Sequence, residues 1–350
     1  MGDNWFKAAS MSEARAQHYI PQFLLQNFTL NGREDERLWV TAPLQRKRWK
    51  SLPKETGHQR DFYRVEAEGI DPNIAEEFLS GLESDVAPIF RSLVEEQRLP
   101  SSDADREILM HFLAFWLARV PSPRKALDRS VDALNRQALK LILETPGRWN
   151  EFVERWRREG VLAPDDVVDY ASIKEFVESG KYTTRLEPNG FHVKMMFYSA
   201  EFIRPLLDQR RWGFLFSESG EFVCADRPAL FVDSATPEHV PGLAYRDTGL
   251  LFPVSRHLML IGSEFELGVA TPLNKKDVAQ TNRITLVNTD QHLYSAKEEF
   301  PWLDRSGKVR YEMPPMAKDE TPAVMNAYVK GSPVPEPVIE LRERPLKLLA

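Results

Sequence analysis

The chain is almost without cysteine. Cys224 is the single one in 350 residues, so neither a disulfide framework nor a cysteine-built zinc site is available. Glycine-rich phosphate loops are absent, and so is a Gly-x-Ser-x-Gly elbow. That excludes P-loop nucleotide hydrolysis, Rossmann dinucleotide binding and an ordinary α/β-hydrolase. No His-Glu-x-x-His occurs, and no two histidines stand at helical spacing. No apolar run reaches the roughly 18 residues that a membrane span needs. The opening Met1-Gly2-Asp3-Asn4-Trp5 lacks a basic region followed by an apolar one, as a secretory signal would have. The expectation is a cytoplasmic protein with no membrane partner. A net charge of −6 excludes a binder held by bulk positive charge, though not one with a local basic surface.

What is present is a globular composition, 42% hydrophobic and 11% aromatic, long enough to bury a sizeable core. Residues 1–16 read as a polar, flexible lead. Pro21 suits the first turn of a short helix carrying Phe23, Leu24 and Phe28. Leu38 to Thr41, Arg46 to Trp49 and Asp61 to Val65 read as three strands of a small antiparallel sheet. Apolar residues near a 3.6 period predict a helix over 73–97, with a kink or break at Pro88. Ser102-Asp103 caps another helix, which Pro121 and Pro123 stop after Val120. Further helices are expected at about 124–144, 148–159, 171–179 and 192–210.

After Arg211 short apolar runs return: 212–216, 222–225, 250–252 and 258–261. The first two flank Ser217-Glu218-Ser219-Gly220-Glu221, which reads as a hairpin loop. A helix over 274–288 follows. From Met313 onward the chain is proline-rich and reads as an extended tail able to dock a protein partner. The class is α+β: antiparallel strands from the N-terminal and C-terminal thirds around a central helical block, one domain over 17–312.

One segment combines an imidazole, a phenol and two amides with apolar and aromatic residues: His18-Tyr19-Ile20-Pro21-Gln22-Phe23, followed by Asn27-Phe28. It resembles the opening signature of a widespread microbial family known as domain of unknown function 4238. Asp61-Phe62-Tyr63, Arg119-Val120-Pro121, Cys224-Ala225-Asp226-Arg227-Pro228, Phe252-Pro253-Val254-Ser255, Asn282 and Tyr294-Ser295 resemble later motifs of that family in the same order. Ala225 departs from the hydroxyl residue usual there. The resemblance covers about residues 17–297 and implies the extent of the fold, but no activity.

The residues themselves offer chemistry. His18 suits a general acid or base, or a structural pin bonded to backbone. Gln22 lies one helical turn on, where it can orient a phosphate, a water or a base edge. Asp61 and Asp226 suit a divalent ion, the orientation of His18, or plain turn roles. Arg119 suits a phosphate clamp or a cation at a helix C-terminus. His111, two turns before it, reads as a core histidine. Glu76 and Glu83 share a helix face and read as solvated surface. Arg46, Lys47, Arg48, Lys50, Lys54, Arg60 and Arg64 lie close together, interleaved with Trp39, Trp49, Phe62 and Tyr63. That mix suits a nucleic-acid surface or a solvated sheet edge.

The leading expectation is a hydrolase acting on nucleic acid or another phosphodiester in bacterial defence. Its catalytic residues would be His18, Gln22, Asp61, Arg119 and Asp226, with Arg46, Lys47, Arg48, Lys50 and Trp49 on nucleic acid. A non-catalytic nucleic-acid-binding or protein-interaction module is the alternative.

Overall fold

Along the described chain, short strands come first, a run of helices follows, and strands return after it. The computed structural model describes residues 16–184, 189–233, 248–263 and 270–314. The expected lead up to residue 15 and the tail from residue 315 lie outside them. In chain order the elements are β1 Ala16–His18, α1 Gln22–Leu25, β2 Leu38–Ala42, β3 Lys47–Ser51 and β4 His58–Arg60. Helices α2 Ile74–Glu96, α3 Asp103–Arg119, α4 Pro121–Ile142, α5 Pro146–Arg158, α6 Tyr170–Glu178 and α7 Gly190–Asp208 follow. Then come β5 Arg211–Ser217, β6 Cys224–Ala225, β7 Leu230–Asp233, β8 Thr248–Pro253, β9 Leu258–Ser263, β10 Ala270–Leu273, α8 Lys275–Val287, β11 Leu293–Ser295, β12 Trp302–Leu303 and β13 Val309–Arg310. The fold is α+β. Among the described residues, no helix is long and apolar enough to cross a membrane.

The strand groups from the two ends of the chain do meet. A four-stranded antiparallel sheet in the order β3-β2-β11-β6 sets Val40 opposite both Trp49 and Tyr294. A second sheet, β10-β5-β9-β8-β7, is antiparallel except for the parallel pair β10 and β5. Small pairs β1-β4 and β12-β13 complete the set.

The described residues divide into two compact units. One is Pro121–His192; the other holds residues 16–120 and those from 193 onward. The larger unit is centred on α3. Leu109, Met110, Phe112, Leu113, Ala114, Phe115 and Trp116 are buried on all sides of that helix, the mark of a central rather than a surface helix. Ser102 starts it by accepting the Asp105 N–H at 3.0 Å. Edge-to-face and tilted rings run from Phe23 through Phe90 and Phe112 to Trp116 and Phe252, with centroids 5.1–5.7 Å apart. They tie α1, α2, α3 and β8 into one core. The smaller unit has its own apolar cluster, Leu143, Trp149, Val153 and Val177.

Three local expectations are corrected. The break expected at Pro88 does not occur, and α2 continues to Glu96. A helix-interior proline costs about 3 kcal/mol. Val86, Ile89, Phe90 and Leu93 are buried around it, at about 2 kcal/mol each, and that outweighs the loss. Asp61 to Val65 is not a strand; the strand is β4, ending at Arg60. Asp61 adopts a left-handed backbone with φ 53°, which ends the ladder and which Asp tolerates better than most residues. Residues 217–221 do not join a hairpin, because β5 and β6 belong to different sheets. The turn is held by the 255–258 loop instead: Ser217 N–H donates to His257 O at 2.8 Å and Phe222 N–H to Arg256 O at 3.0 Å. At its apex Gly220 has φ +63°, and a Cβ there would lie 2.1 Å from the His257 ring.

Candidate active site

The N-terminal signature is clamped by its backbone. β1 pairs with β4 so that His18 stands opposite His58. Tyr19 and Ile20 donate their N–H groups to Gly57 O at 3.0 and 3.1 Å. Strand alternation turns Gln17 inward, where its Oε1 accepts the Tyr63 N–H, and Tyr63 Oη donates to His18 O at 3.2 Å. The aromatic motif after Asp61 therefore holds the histidine strand in place. Pro21 precedes α1, and Leu24, Leu25 and Phe28 bury its apolar side.

Three groups act on the His18 ring. The His58 ring lies edge-on, 5.0 Å away. The exposed Gln22 amide stands 3.5 Å from Nδ1. The Arg119 guanidinium acts on His18 through its charge. Burial first, then the His58 and Arg119 charges, lower the His18 pKa to about 4, while the Lys54 and Pro53 carbonyls act the other way. His18 is therefore unprotonated at neutral pH.

Arg119, in the last turn of α3, is 1% exposed. Its Nη1 donates to Glu83 Oε1 at 2.7 Å, and its guanidinium faces the Phe112 ring at 5.6 Å. Its Nε and Nη2 are buried and have no hydrogen-bond partner. A buried guanidinium with two idle nitrogens is costly unless a ligand or water completes it. Glu83 comes from α2, and Glu76, two turns earlier on the same face, joins it. Burial and the Glu83 charge raise the Glu76 pKa to about 7, against the pull of Arg119. The two glutamates are therefore part of the site and not plain solvated surface. Their seven-residue spacing on one helix face was the signal for this, but spacing alone does not reveal which face meets a buried arginine.

The cluster is thus His18, His58, Gln22, Arg119, Glu83 and Glu76. His58 escaped notice because it is one residue of a strand whose partner, β1, is known only from the pairing. Asp226 is engaged by backbone. It is 3% exposed, and its carboxylate accepts the Asp290, Gln291 and His292 N–H groups at 2.8, 2.6 and 3.1 Å. Its charge acts on Tyr19 and Tyr294. Burial lifts its pKa to about 6 in spite of those donors. Asp61 forms an ion pair with Arg60 at 3.4 Å. His111 is held below its ordinary pKa, by burial first and then by the Arg204 charge.

Cys224 is buried and its thiol is pushed up by that burial, which suits packing rather than reactivity. Asn282 is a structural tie: it donates to Glu221 O and Pro301 O, both at 2.8 Å, and accepts the Val223 N–H at 3.2 Å. Among the described residues, no three or more His, Cys, Asp or Glu side chains are grouped to hold a metal ion.

Lys47, Arg48 and Lys50 of the basic cluster lie on β3, the outer strand of its sheet. Arg46 stands before it with φ 52°, and Arg46, Lys47 and Lys50 are exposed. Lys50 Nζ lies over the Trp39 ring at 5.2 Å. Arg48 is half-buried and faces Glu298 and Glu299, which offset its charge. Trp49 is 38% exposed and meets His292 edge-on at 5.6 Å.

Comparison with curated proteins and with solved structures finds no match for this chain. The family model "Protein of unknown function (DUF4238)" matches residues 16–299, and the chain belongs to that family.

Proposed function

We propose that the chain is a hydrolase acting on a phosphodiester, with nucleic acid as the first substrate class to try. The observation that carries this reading is the buried Arg119, with Nε and Nη2 free of partners beside an unprotonated histidine. Two adjacent guanidinium nitrogens match two oxygens of a phosphate. His18 supplies a base. Its Nε2 is buried without a hydrogen-bond partner, and the Pro53 and Lys54 carbonyls act on the ring. Nδ1, beside the exposed Gln22, offers a lone pair to a water. Gln22 orients that water or the phosphate. An anion on Arg119 offsets the guanidinium charge that depresses His18, so substrate binding itself raises the basicity of the imidazole.

The test uses short single-stranded RNA and DNA. Wild type should cleave at least one of them, and His18→Ala should lower the rate by about 100-fold with an unchanged melting temperature. A rate that falls only with the folded fraction makes His18 a clasp and overturns the reading. A second reading, a nucleic-acid-binding module without catalysis, is favoured by the exposed Arg46, Lys47 and Lys50 beside Trp49 on an outer strand. Binding without cleavage selects it.

A further inference from the structure

We infer that Glu76 is the general acid of this site, the group that protonates the departing oxygen. The inference rests on the hydrolase reading above and adds a residue to it. Glu76 and Glu83 project from one face of α2, and Glu83 holds Nη1 of Arg119 at 2.7 Å. Glu76 is half-buried beside them, and among the described residues no side chain forms a hydrogen bond or ion pair with it. Glu83 already serves as the counter-charge of the arginine. A second carboxyl there does not add to that neutralisation; as an anion it repels the first. It is stable as the neutral acid, and a neutral carboxyl has a proton to give. The buried Nε and Nη2 of Arg119 mark where the phosphate would rest. The Arg119 charge acts on His18 from β1 and on Glu76 from α2, so the base and the acid come from different elements.

The proposed step balances with water alone. The water oxygen bonds to phosphorus while its proton passes to His18 Nδ1. The bond from phosphorus to the leaving oxygen breaks, and the Glu76 proton goes to that oxygen. The products are a phosphomonoester and an alcohol. The imidazolium then returns its proton, through water, to the Glu76 carboxylate. The raised Glu76 pKa of about 7 keeps a large protonated fraction at neutral pH, and the lowered His18 pKa keeps the base free. Environments that push two groups in opposite directions set acid and base roles.

The experiment compares two substrates, a dinucleotide whose leaving group is a poor alkoxide and bis(4-nitrophenyl) phosphate, whose leaving group needs no proton. Glu76→Gln should lower kcat on the dinucleotide by about 100-fold and leave the nitrophenyl diester within about threefold. The wild-type kcat/KM on the dinucleotide should fall with rising pH through about 7, and that limb should vanish in the variant. Equal losses on both substrates, or a wild-type profile without the limb, overturn the assignment; the profile needs no mutant to fold. If wild type cleaves neither diester, the hydrolase reading falls and the acid role with it. If His18→Ala abolishes cleavage of both but Glu76→Gln spares the dinucleotide, the hydrolase reading stands and the acid assignment alone fails.

Discussion

Asp226 is buried and His18 half-buried, and their surroundings give the two titratable side chains opposite tasks. Asp226 uses both carboxylate oxygens on three backbone N–H groups of the turn before β11. An asparagine offers one acceptor oxygen where the aspartate offers two. Asp226→Asn should therefore destabilise the fold by about 1–3 kcal/mol, read from denaturant melts at neutral pH. His18 is held near pH 4 when folded, against 6.5 when free. Between those values the unfolded chain binds a proton that the folded chain does not. Stability should rise with pH from 4 to 6.5 on this account and stay level above. The difference between wild type and His18→Asn, measured at pH 4.5, 5.5 and 7, should show that slope; a flat difference would mean that the ring is not shielded from solvent.

At the scale of elements, the two instructive cases are a helix that tolerates a proline and a strand that carries charge at its edge. Pro88 removes one donor from α2, yet the helix continues because its apolar face is anchored on both sides of it. Pro88 itself is exposed. Pro88→Ala restores the missing N–H and should raise stability by about 1–3 kcal/mol. The charged outer strand β3 allows two uses. Lysine and arginine on an edge discourage pairing with other chains, and they also suit phosphate contacts. Alanine at Arg46, Lys47 and Lys50 should weaken nucleic-acid binding and flatten its dependence on salt, as read by fluorescence anisotropy. If the intact protein fails to bind even at low salt, the edge serves only to prevent strand pairing.

On the scale of the molecule, the cluster around Trp149 belongs to Pro121–His192, while the site residues belong to the larger unit. Trp149 is almost fully buried. Trp149→Ala should cost about 3–5 kcal/mol within its own unit. Hydrogen exchange should then speed up in residues 121–192 and stay slow in α3. Equal acceleration in both would mean that the two units unfold as one.

The sequence by itself determined the α+β class, the helices and the family. Those follow from local properties: the 3.6-residue spacing in α2, the Ser102 cap and the proline stop of α3, and the His18 to Phe28 signature. His18, Gln22 and Arg119 were legible as candidate site residues for the same reason, because each stands at a marked point of its element. Only the tertiary structure decided which polar groups share a surface. β1 pairs with a strand forty residues away, which brings His58 to His18. Glu76 and Glu83 join the site because their face of α2 meets the buried end of α3. Asp226 is tied to the turn before β11 because its carboxylate accepts three backbone N–H groups there. The division at Pro121–His192 is equally silent in composition, since helices border it where a linker would have marked it. Such long-range pairings depend on which buried surfaces fit together, and spacing along one chain does not carry that information.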